Sequence, residues 1–171
     1  MTERPITYHP QMIQARLAGK KSQTRRVINK LLHWGDIADL RQIGDNWAFS
    51  AGHMCRENFI PTASLLASCH YGCVGDRLRT QLEGGGSIVD EITGLRVERL
   101  QDISHEDLML HEGIMPADVT PTDDPWKDFR DAYLEPFIRF WNILYPEGPK
   151  SWPANPWLWV ISTKPVEMEV T

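Results

Sequence analysis

Between Gln11 and Gly35 the chain has no acidic residue, although Arg16, Lys20, Lys21, Arg25, Arg26 and Lys30 all fall there. The 171-residue chain is formally −5, so without these six cations the remainder would stand at −11. A basic patch inside an acidic protein marks a local site for an anion or a phosphate-bearing ligand. The acidic balance argues against a broad surface that tracks a phosphate backbone. Long apolar runs are also missing. None approaches the ~18 residues of a membrane-spanning helix, and no apolar signal-peptide core follows Met1-Thr2-Glu3-Arg4-Pro5. The expectation is a cytoplasmic protein with no membrane partner and no evident obligatory protein partner.

Cysteine is scarce. Cys55, Cys69 and Cys73 form an odd set, which fits free thiols in a reducing compartment. His53 and His70 lie close in sequence, so a zinc site has to be weighed. The spacing lacks the paired C-x-x-C knuckles of a structural zinc site, and the reading is no metal and no cofactor. No internal repeat is visible.

The apolar fraction of 42%, with seven Trp, five Phe and four Tyr, suffices for a real core and one domain over residues 1–171. Residues 4–8 read as a first strand. His9-Pro10 opens a helix, with proline where its missing N–H is harmless, and Gly19 stops it. From Ser22 the period changes to two, predicting a strand to Ile28 with Thr24 and Arg26 on one face. Lys21, three residues from Thr24, joins that face only if residues 20–22 turn. Residues 29–72 are punctuated by Gly35, Gly44, Gly52, Pro61 and Gly72 and read as an irregular insertion with one or two short strands, Asn46–Phe49 among them. Gly75-Asp76-Arg77-Leu78 turns into another strand.

Gly84-Gly85-Gly86-Ser87 reads as a joint between strands, since no phosphate-loop context follows it. Residues 88–100 give the clearest strand signal. Ser104-x-x-Asp107 starts a short helix ending at Gly113. Pro125 opens a long helical segment to about Tyr145, which Pro136 should kink or divide. Residues 155–162 form a final strand with two apolar faces, hence central or covered twice. The order points to an α+β fold: a curved, mostly antiparallel β-barrel with peripheral helices.

Gly19-x-Lys21-x-x-Thr24-x-Arg26 resembles the signature of the ASCH domain, a family within the PUA-like superfamily of RNA-binding barrels. Gly72-x-x-Gly75-Asp76-Arg77-Leu78, the run Glu91 to Ser104, Glu112-Gly113-Ile114 and Ser151-Trp152-x-Ala154-Asn155-Pro156-Trp157-x-Trp159-Val160-Ile161 resemble a phage and prophage subgroup of that family. After Leu78 the chain departs from the subgroup's Trp-rich strand, and Thr24 stands where the broader signature has an acidic residue. In that respect it is similar to small bacterial ASCH amidohydrolases that deacetylate N4-acetylcytidine. The resemblance implies a PUA-like barrel and a catalytic set of Lys21, Thr24 and Glu112. Arg26 would hold a carbonyl oxygen or phosphate, with Lys20 and Arg25 as substrate- or RNA-binding surroundings.

The chemistry is coherent, because a threonine hydroxyl attacks only when a neighbouring base takes its proton. Each residue also has a plainer reading. Lys21 can be a cation at a helix C-terminus, Thr24 a strand former, Glu112 a solvated acid and His111 a surface residue. Three functions stay open: an amidohydrolase acting on a linear amide of an acylated nucleobase, a module that binds RNA or a modified nucleotide without turnover, and a ribonuclease. No metal cluster or His pair supports the third.

Overall fold

The computed structural model describes residues 1–51 and 57–170, with the side chains of 168–170 left aside. The chain divides into two compact units. One comprises Met1–Thr7, Arg25–Val97 and the chain from Trp157 onward; the other comprises Tyr8–Thr24 and Glu98–Pro156.

The first unit carries two sheets, which makes the protein α+β with mostly antiparallel, curled sheets. One is built from β1 (Glu3–Pro5), β2 (Gln23–Val27), β7 (Arg77–Gln81), β8 (Gly86–Arg99) and β9 (Trp157–Val170). Its five strands lie in the order β1-β7-β8-β9-β2. β1 lies parallel to β7 at the sheet edge, where Pro5 leaves no ladder bond unmade. β7 and β8 form the hairpin expected around the glycine joint. β9 sits between β8 and β2, and Leu158, Trp159, Val160 and Ile161 on its two faces are all buried. The two apolar faces read from the sequence follow from that central place.

Residues 30–61 depart from the expected irregular insertion. The described residues among them form a four-stranded antiparallel sheet of β3 (Lys30–Leu31), β4 (Gly35–Ile43), β5 (Asn46–Ala51) and β6 (Glu57–Pro61). Helix α2 (Thr62–Ala67) follows. Gly44, at φ 59°, closes the tight hairpin turn between the paired residues Ile43 and Asn46. In β4 the apolar residues Ile37, Leu40 and Ile43 recur every third position. A strand tolerates this here because the register slips between Ala38 and Arg41, with Asp39 at φ 55°.

The second unit is helical. α1 (Pro10–Leu17) is capped by the His9 ring, whose Nδ1 accepts the Gln11 N–H at 3.3 Å. The expected short helix at Ser104 is a π-helical turn at Asp107–His111, its Asp107 N–H bonded to the Ser104 hydroxyl. The long helical segment consists of α3 (Pro125–Phe129), a π-helical turn at Arg130–Leu134, and α4 (Glu135–Leu144). Pro136 explains the division. It cannot donate to the Ala132 carbonyl four residues back, and that oxygen instead accepts the Ala117 N–H at 2.8 Å. Met12, Ala15, Leu108, Phe137 and Trp141 are buried in this unit. Among the described residues, no helix is long and apolar enough to cross a membrane.

Candidate functional site

Gly19, at φ 69°, ends the turn after α1, and the Lys20 N–H donates back to Ala15 at 2.8 Å. The chain is then extended from Lys21, which pairs antiparallel with Glu112. The Ser22 N–H donates to the His111 carbonyl at 3.1 Å. This short ladder joins the end of α1 to the end of the Asp107–His111 turn, so all of it lies in the second unit.

Its centre is a buried ion pair. Lys21 Nζ donates to the Glu112 carbonyl at 2.9 Å and lies 3.3 Å from Oε2. Both side chains are 4% exposed. Neither the helix-end cation nor the solvated acid describes these residues. Enclosing two charges is favourable only when each offsets the other's lost hydration, which ties their positions together. Gly113 makes the approach possible. At φ 71°, a Cβ there would stand 2.7 Å from the Ala15 Cβ and 2.8 Å from the Lys21 Cβ. Only glycine fits.

Thr24 is buried, at 3% exposure. Among the described residues its hydroxyl makes no hydrogen bond to Lys21 or Glu112. The turn that would swing Lys21 toward Thr24 is complete before Lys21, because the antiparallel pairing already begins there. Of the sequence-derived set, Lys21 and Glu112 are in direct contact.

The surrounding cations divide. Lys20 is exposed, its Nζ 3.5 Å from Met115 Sδ. It lines a groove of about 300 Å³ together with Gln11, Gln14 and Met115. Arg25, expected among the substrate- or RNA-binding surroundings, is buried. Arg26 is half-buried and donates to the Thr7 carbonyl. Both arginines belong to the first unit, because the boundary between the units falls inside β2 after Thr24.

One contact escaped the sequence. Ser22 Oγ lies 2.8 Å from His111 Nδ1, and both residues are half-buried. The only trace in the sequence is the reversed order of Lys21-Ser22 and His111-Glu112, which reads as an antiparallel register once the pairing is known.

Of the weighed zinc cluster, His53 and Cys55 lie outside the described residues. Cys69 is buried and Cys73 exposed, both as free thiols. Among the described residues, no three His, Cys, Asp or Glu side chains gather as a metal site. The chain matches no protein-family model, no curated protein and no solved structure. Function is therefore to be read from the residues of this site.

Proposed function

We propose that this is a cytoplasmic, ASCH-type protein with a PUA-like fold that deacylates N4-acetylcytidine-like nucleosides by hydrolysing their linear amide. The buried Lys21–Glu112 ion pair carries the reading. In this mechanism Glu112 takes a proton from Lys21, and the neutral amine removes the proton of the Thr24 hydroxyl. Oγ1 attacks the acyl carbon, the C–N bond breaks, and Glu112 returns its proton to the departing amine. Water then cleaves the threonyl ester and restores the pair. Enclosure favours this exchange, because a neutral pair loses less hydration than a charged one. The Thr24–Lys21 bond would close as substrate binds, as catalytic hydrogen bonds often do.

A second reading, binding of a nucleoside or RNA without turnover, draws support from the absence of a Thr24 bond to Lys21 or Glu112. Cytidine release from N4-acetylcytidine separates the two. Hydrolysis by wild type and its loss in Thr24→Ala is the expected result. If both proteins are inert yet bind RNA with an affinity that falls as salt rises, the hydrolase reading is overturned in favour of binding.

A further inference from the structure

The strongest unassigned chemistry is the contact between Ser22 and His111. Ser22 Oγ stands 2.8 Å from His111 Nδ1, and the backbone bond from Ser22 N–H to the His111 carbonyl holds the two residues opposite each other. We propose that Ser22 and His111 form a nucleophile–base dyad that accepts the acyl group of a small carboxylic ester.

A serine hydroxyl is a weak nucleophile until a positioned base takes its proton, and the reach for that transfer is roughly 2.6–3.2 Å. Ser22 meets this condition, whereas Thr24 has no hydrogen bond to Lys21 or Glu112. In the tautomer with a bare Nδ1, the Ser22 hydroxyl donates to the ring. Both side chains are half-buried, so the pair is sheltered but reachable. Lys20 and Gly113, each two residues along the chain from a member of the dyad, are among the residues that line the groove of about 300 Å³. Ala15, Ala18 and Met115 give it apolar walls, and Gln11, Gln14 and Lys20 give it polar ones. That lining suits a short acyl group on a polar or anionic alcohol.

The steps balance. The Oγ proton moves to Nδ1 as Oγ bonds the acyl carbon. The carbon–alkoxy bond breaks and Nδ1 delivers the proton to the leaving oxygen. Water then gives a proton to Nδ1 and its oxygen to the acyl carbon, the ester to Oγ breaks, and the proton returns to Oγ. Acid and alcohol leave, and the dyad is restored.

The inference rests on the proposed nucleoside reading only for the location of the site, and it names a different hydroxyl. The test is the full chain treated with a fluorophosphonate, which bonds an activated serine and releases fluoride, with the adduct located by peptide mass spectrometry. The expected adduct is on Ser22, forms in native protein and not after denaturation, and is absent from Ser22→Ala. His111→Ala should label at least ~100-fold more slowly, and added imidazole should restore the rate. A contact that merely pins two segments together would give no such rescue. Wild type labelling no faster than denatured protein, or His111→Ala labelling at the wild-type rate with circular dichroism unchanged, overturns the dyad. Labelled Ser22 in a protein that leaves N4-acetylcytidine intact supports the dyad and overturns the nucleoside reading. Cytidine release without labelling does the reverse.

Discussion

Lys21 and Glu112, ninety-one positions apart, meet twice: the ammonium bonds the glutamate's backbone carbonyl and faces its carboxylate. Removing one partner takes from the other enclosed charge the opposite charge that faces it, which costs about 3–5 kcal/mol. Lys21→Met and Glu112→Leu should each lower the urea midpoint by a corresponding amount. The double variant, with no charge left to enclose, should recover most of the loss. Equal losses in the double variant and the sum of the singles would show that the two residues do not act as a pair.

Gly113 permits that meeting. Gly113→Ala combines a left-handed backbone with contacts of 2.7 and 2.8 Å to Ala15 and Lys21, so the expected destabilisation is about 2–4 kcal/mol. Gly19→Ala is the control. Its φ of 69° carries the same backbone strain, but its Cβ would meet nothing within 4 Å, so only about 1–2 kcal/mol is expected. Equal losses in urea titrations of the two variants would remove the steric argument.

What the sequence disclosed depended on how local the cause was. The proline opening α1, the glycine ending it, the apolar faces of β9 and the break at Pro136 each act within a few residues, so each was legible. The sheet of residues 30–61 was not, because β4 is largely exposed and its bulge breaks the period-two pattern at Asp39. At the site, resemblance points to Lys21 and Glu112. The sequence does not pair Ser22 with His111, because their contact depends on a register between distant segments. Arg25 lies in a strand buried at Gln23, Thr24 and Arg25, which encloses it. Charge alone does not report which strand face is covered.

Asp76 ties down the N-terminal segment and gives a pH signature. Its carboxylate accepts the Thr2 N–H at 2.7 Å, the Thr2 hydroxyl at 2.9 Å and the Cys73 N–H at 3.1 Å. The Thr2 amide first, then that of Cys73, holds its pKa below the usual 3.8. A folded pKa below the unfolded one means the contribution is fully present above 3.8 and is lost as pH falls through the folded value. Wild type should therefore exceed Asp76→Asn in stability at neutral pH, with the gap narrowing in acid below that value. A gap that is constant or widens on acidification would contradict the linkage.

The two described cysteines should differ sharply in reactivity. Cys69 is 1% exposed, and burial pushes its thiol up to about 11. At pH 8 only about one Cys69 in a thousand is thiolate, the reactive form, and the enclosed sulfur is out of reach of reagent as well. Cys73 is exposed four residues later in the chain. Iodoacetamide added to native protein should therefore alkylate Cys73 well before Cys69, read residue by residue from peptide masses. Urea should bring Cys69 to a comparable rate, because unfolding removes both the desolvation that raises its pKa and the packing that covers it. Native-state alkylation of Cys69 as fast as that of Cys73 would mean that this segment opens readily, and would withdraw the buried placement of Cys69.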